Sequence, residues 1–186
     1  MKTRMLGRFL MAAALVAGTA AASTKAGANL PQSDSDIATN VRHEIVMYSH
    51  YSIWDDLSFR VANGNVELEG VVSQPFKKQD IERLVQKVPG VASVTNEIKV
   101  LPMSSKDDRL RLQVASAIYR DPNLSRYATL AVPPIHVIVE NGHVTLTGMV
   151  STDMEKQIAG MRATTTGLSF GPVTNDLVVE HPAKKS

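Results

Sequence analysis

The chain has 186 residues, of which 44% are apolar, five are histidine and none is cysteine, and its formal net charge is +2. Without cysteine there are no disulfides, no thiolate catalysis, no thiolate-bound metal and no lipid anchor on an N-terminal cysteine. Lys2, Arg4 and Arg8 lie in a segment expected to be removed, which turns +2 into −1 and gives no electrostatic footprint for nucleic acid.

Residues 1–22 combine a basic start, an apolar run from Phe9 to Val16 and a close in small residues, the layout of a secretory signal peptide. The apolar core is shorter than the ~20 residues a membrane span needs. Cleavage is expected after Ala22, with a second small-x-small site ending at Ala28, and the exported, unanchored chain is assigned to the periplasm.

After a linker over 23–33, Ser33-Asp34-Ser35-Asp36 offers a capping box, and Ile37, Val41, Ile45 and Tyr48 form an apolar stripe at helical spacing. Leu57, Phe59 and Val61 then alternate with polar residues, Asn63-Gly64 supplies a type I′ turn, and Val66, Leu68, Gly70 and Val72 alternate in turn, which predicts a half-buried hairpin. Ser73 is placed to cap a second helix burying Ile81, Leu84, Val85 and Val88, with Lys77, Lys78, Glu82, Arg83 and Lys87 facing water. Val94, Ile98 and Val100 predict a single third strand.

The same order then recurs. VANGNVELEGVVS (Val61–Ser73) is rewritten as VENGHVTLTGMVS (Val139–Ser151), with eight of thirteen positions identical. Ser105 and Asp108 form a possible capping box ahead of Leu110, Val114, Ala117 and Ile118; Ile135, Val137 and Val139 lead into the Asn141-Gly142 turn and the Gly148 strand; VTNDLVV answers VTNEIKV. Two features differ: an added loop at Tyr127–Pro134, and a second helix containing Gly160 and Thr164-Thr165-Thr166, expected to be short. The fold class is therefore α+β, with tandem domains over 34–102 and 105–181, each helix-strand-strand-helix-strand with a three-stranded sheet packed on one face by two helices.

This order, with NGxVxLxGxVS followed by a helix and VxxVTNxIxV, resembles the BON domain, a bacterial domain found in osmotically induced periplasmic proteins and nodulation-related proteins. The resemblance covers nearly all of the mature chain. It sets the family's glycine on Gly70 and Gly148 and its hairpin turn on Asn63-Gly64 and Asn141-Gly142. It implies a non-enzymatic role without cofactors, binding phospholipid surfaces or envelope proteins and supporting envelope integrity under osmotic stress. It carries over no catalytic residue and fixes neither a lipid-contacting residue nor an oligomeric state. On physical grounds the two glycines are expected to leave a gap for close approach of a helix backbone.

Candidate sites are few. His43 and His50 are too far apart on a helix to share an ion, and His136 and His143 sit at opposite ends of one hairpin, on its polar side, so no metal site is predicted. Glu67 and Glu69 share a strand face, but Thr145 and Thr147 replace them in the second unit, which marks that face as solvent-exposed. Asn96 and Asn175 fall on the apolar side of the third strand and are expected to tie it to a neighbouring loop or helix end. Candidate membrane or partner contacts are Tyr51, Ile53 and Trp54 after the first helix, with Tyr48, Ile53 and Trp54 closing the bottom of the first core as the alternative; Tyr127, Leu130 and Val132 in the added loop, with packing between the two units as the alternative; and Arg109 and Arg111, beside Arg120 and Arg126, on the first helix of the second unit. Asp107, Asp108 and Asp121 lie among these arginines and would blunt their charge. The functional expectation is peripheral binding to anionic phospholipid, with a protein-interaction or chaperone-like module as the alternative.

Overall fold

The first helix, α1 (Asp34–Met47), begins where Ser33 Oγ accepts the Asp36 N–H at 3.2 Å while the Asp36 carboxylate accepts the Ser33 N–H at 3.3 Å. In the computed structural model, residues 32–166, 171 and 173–180 are described, so the signal peptide, most of the linker and residue 181 lie outside the described residues. Both repeats belong to one unit, Pro31–Ser186.

In the first repeat β1 (Asp56–Ala62) and β2 (Asn65–Val72) pair antiparallel around Asn63 and Gly64, whose φ of 51° and 75° are those of a type I′ turn. A second helix, α2 (Pro75–Gln86), crosses back so that β3 (Ser93–Asn96) and β4 (Lys99–Val100) run parallel to β2, leaving β2 central and β1 at an edge. The core is formed by Ile37, Val41 and Ile45 of α1, Val66, Leu68 and Val72 of β2, Ile81 and Val85 of α2, with Val88 and Ile98. The second repeat follows the same plan with α3 (Ser105–Tyr119), a 3-10 turn at Ser125–Thr129, β5 (Ile135–Glu140), β6 (His143–Val150), α4 (Asp153–Thr164), β7 (Val173–Asn175) and β8 (Val178–Val179). It has a core of its own. Among the described residues no helix is long and apolar enough to cross a membrane.

Several local expectations are corrected. The third strand is broken in two, because the Asn96 and Asn175 side-chain carbonyls accept the N–H of Ile98 (3.1 Å) and Leu177 (3.4 Å) and turn the chain there. Their amide groups donate to carbonyls within helices, Lys78 (3.0 Å) and Lys156 (2.7 Å), rather than to helix ends. The cap of α3 is Ser104, bonded to the Asp107 N–H, not Ser105. Gln74 precedes α2 without a side-chain cap, since Pro75 opens the helix and Ser73 bonds elsewhere. Helix α4 is not short: it has 12 residues, as α2 has, and is started by a capping box of Thr152 and Glu155. Its Gly160 makes room for the Asn175 amide, which would lie 2.8 Å from a Cβ there.

Gly70 and Gly148 face a strand backbone, not a helix. Their φ values are +115° and +104°, and a Cβ would stand 2.1 Å from the Asp56 carbonyl oxygen and 1.9 Å from that of Pro134. The glycines admit the carbonyl at the entry to the edge strand.

Candidate functional site

Each hairpin turn is held by a carboxylate from the preceding helix. Asp34 accepts the N–H groups of Asn63 (2.7 Å) and Gly64 (2.9 Å), one on each oxygen, and Asp107 does the same for Asn141 (3.0 Å) and Gly142 (2.9 Å). A type I′ turn presents two adjacent N–H groups, and a bidentate anion satisfies both. Sequence reasoning read both acids otherwise, although each stands three residues before the first core residue of its helix, Ile37 or Leu110.

The segment Tyr51–Asp55 joins the repeats. Ile53 and Trp54 pack against the second repeat's core, the Val137 N–H donates to the Ile53 carbonyl at 2.8 Å, and His136 Nδ1 meets the Asp55 carbonyl at 2.6 Å. The Tyr51 ring lies 5.6 Å from that of His136. Burial, then the charges of Asp56 and Asp55, push the Tyr51 hydroxyl up to about 12. His136 is accordingly buried in this seam, not on a polar face. The apolar residues Ile135, Val137 and Val139 of β5 belong to the second core, and the aromatic segment of the first repeat packs against it.

Two buried polar nodes flank the sheets. Lys77, expected to face water, is buried and donates to Asp55 (2.7 Å), Ser73 Oγ (2.9 Å) and Ser52 Oγ (3.2 Å). The Ser52 and Ser73 hydroxyls in turn donate to Asp55, each at 2.8 Å. In the second repeat Glu155 accepts from Tyr127 Oη (3.0 Å) and Arg126 (2.5 Å), and the Arg126 guanidinium lies 4.8 Å from the Tyr127 ring centre. Burial works against the Glu155 charge, yet the bonds from Tyr127, Arg126 and Thr152 hold its carboxyl below the usual range. Tyr127 is therefore part of the interior.

Arg111 is also internal. It pairs with Asp108 and donates to the Val139 carbonyl at 2.7 Å. Asp121 accepts from the Asn123 N–H (2.8 Å) and from Arg162 (2.7 Å); these bonds, the Asn123 N–H foremost, hold its carboxyl low against the effect of burial. The three acids expected to blunt the basic face are thus engaged: Asp107 with the turn, Asp108 with Arg111, Asp121 with Arg162.

What remains outward is one face of α3. Arg109, Leu112, Ser116 and Arg120 line a shallow depression at helical spacing, with Lys106 one turn before Arg109. Leu112 is 64% exposed, and the side chains of Lys106, Arg109 and Arg120 have no partner among the described residues. Leu130 and Val132, at 50% and 38%, are exposed on the added loop. Glu67 and Glu69 lie on the solvent side, both paired with Arg60. Among the described residues no cluster of histidine and acid has the geometry for a metal ion.

The family model described as the BON domain matches the chain twice, over residues 33–102 and 106–180. No curated protein matches significantly. Among solved structures, CdsD, a structural protein of the type III secretion system of Chlamydia trachomatis, is similar at 15% identity over 80% of this chain and 94% of that one, with a TM-score of 0.27. The C-terminal domain of CdsD gives 15%, 81%, 100% and 0.28. Scores this low carry no argument about function.

Proposed function

We propose, from the premise that this chain belongs to the BON domain family and carries the domain twice, that it is a non-enzymatic, exported envelope protein. In this reading it adsorbs to anionic phospholipid surfaces and supports envelope integrity or osmotic protection from the periplasm. The observation that carries the proposal is the outer face of α3: Lys106, Arg109 and Arg120 stand free around exposed Leu112 while neighbouring acids are engaged elsewhere. Each basic group near an anionic leaflet contributes about 1 kcal/mol, so three supply roughly 3 kcal/mol, falling with ionic strength. Apolar burial of Leu112 adds to this without salt dependence.

The test is co-flotation with phosphatidylglycerol-containing and phosphatidylcholine vesicles at rising salt. Binding to the anionic vesicles alone, weakened by salt and by Arg109→Glu, is expected. No co-flotation at low salt, or binding untouched by Arg109→Glu with Arg120→Glu, would sink the reading. The alternative, a protein-binding module, is favoured by the open outer edge of β1.

A further inference from the structure

The two repeats differ at one strand edge. In the second, the outward groups of β5 are engaged in sequence: the Ile135 carbonyl accepts the Tyr119 hydroxyl (2.5 Å), the Val137 N–H donates to Ile53 (2.8 Å) and the Val139 carbonyl accepts Arg111 Nη2 (2.7 Å). All of Ile135–Val139 is buried.

In the first repeat Leu57, Phe59 and Val61 hold the positions of Ile135, Val137 and Val139, since they pair with Gly70, Leu68 and Val66 as the others pair with Gly148, Leu146 and Val144. Their outward groups meet no partner among the described residues. Ala38 and Val46 stand on α1 where Arg111 and Tyr119 stand on α3, and neither can donate a hydrogen bond. Leu57, Phe59 and Val61 are consequently only half-buried, and a groove of about 670 Å³ runs between α1 and β1, lined in part by Ala38, Arg42, Val46, Leu57 and Phe59. An unpaired strand edge beside an apolar groove is a template for strand addition.

The occupant is indicated by the chain's own second groove, which Ile53 and Trp54 fill. The offset that carries Asp56 to Pro134 carries Ile53-Trp54-Asp55 to Ala131-Val132-Pro133, the exposed loop with Leu130 before it. Sizes compensate. Ile53 and Trp54 pack on a cluster that includes Val137 and Ala115, whereas the smaller Ala131 and Val132 have a groove with the larger Phe59 and Arg42. Pro133 biases Val132 toward extended backbone, which lowers the cost of adding this segment to a strand.

We propose that the α1/β1 groove receives the Leu130–Pro133 segment of a second copy of this chain. The Phe59 N–H donates to the Ala131 carbonyl, and the Ser58 hydroxyl donates to the Pro133 carbonyl, as His136 meets that of Asp55 within the chain. Each copy offers one edge and one segment, so the contact is head to tail and propagates into rings or filaments.

The test is the weight-average mass of the purified protein by sedimentation over roughly 10 µM to 1 mM, the range in which an interface below standard size exchanges. The mass is expected to rise above that of the monomer. Val46→Glu on the groove and Val132→Asp on the loop, both at exposed positions, each hold the protein monomeric with unchanged circular dichroism. An equimolar mixture of the two variants regains association and stops at the dimer, because one intact edge meets one intact segment. A wild-type monomer throughout the range, association unaffected by either variant, or a mixture that stays monomeric overturns the proposal. So does association that disappears when residues before Gln32 are removed, which gives the groove to the chain's own N-terminal segment.

Discussion

Lys77 and Glu155 occupy the same place in the two repeats, the third residue of the second helix, and both are buried with opposite charges. Each takes its counter-charge from the loop between the first helix and the first strand of its own repeat: Asp55 for Lys77, Arg126 for Glu155. The position requires a buried hydrogen-bonding group that ties loop to helix, and the sign is set by the loop.

Breaking one partner of such a pair leaves an uncompensated buried charge, at a cost of about 3–5 kcal/mol. Asp55→Ala is therefore expected to lower the urea midpoint severely, and Asp55→Ala with Lys77→Met to recover most of the loss. Recovery in the double variant is the informative outcome, since it separates the stranded charge from simple lost packing.

Acid should weaken the second repeat. The carboxyls of Glu155 and Asp121 lie below their ordinary values of 4.5 and 3.8 in the folded protein. The unfolded chain thus binds protons first, and the stability these groups confer is complete above about pH 4.5 and declines as pH falls through 4.5 and 3.8 toward the depressed values. Thermal midpoints measured from pH 7 to pH 3 should fall in the wild type; Glu155→Gln should start lower at pH 7 and fall less steeply.

At Gly148 any side chain meets two penalties, a φ of +104° and the Pro134 carbonyl at 1.9 Å from the Cβ. Gly148→Ala is expected to destabilise by roughly 2–4 kcal/mol, and Gly70→Ala by a similar amount. Amide exchange should show the loss first at Met149, whose N–H donates to Pro134.

Trp54 reports the seam between repeats. It is half-buried against the second core, so its emission is expected to be that of a shielded indole in free protein and to stay unchanged when anionic vesicles bind at α3. Trp54→Ala should cost about 1–3 kcal/mol, less than a fully buried tryptophan.

Where the sequence carried periodic signals, it was legible: the capping box at Ser33, the helical stripes, both type I′ turns and the tandem α+β plan follow from spacing. The asparagines were recognised as buried ties because alternation put an amide on an apolar face. What escaped had no local signature. Nothing around Lys77 announces that Asp55, 22 residues earlier, will meet it, and burial of Arg111 depends on a strand edge 28 residues away. The aromatic cluster at Tyr51–Trp54 was visible, but whether it faced lipid, its own core or the neighbouring repeat was set by the second core, against which it packs. The glycine positions were identified and their reason was not, because alternation says which side of a strand is apolar, not which backbone approaches it.

The seam uses a segment from inside the first repeat, while the peptide joining the repeats runs past Pro102 and Met103, both exposed. Covalent continuity and physical attachment therefore lie in different places. Cleaved by a protease at Met103, the protein would be a two-fragment complex, its halves still clasped by Ile53, Trp54 and His136. Each half separated from the other would expose an apolar surface its partner had hidden.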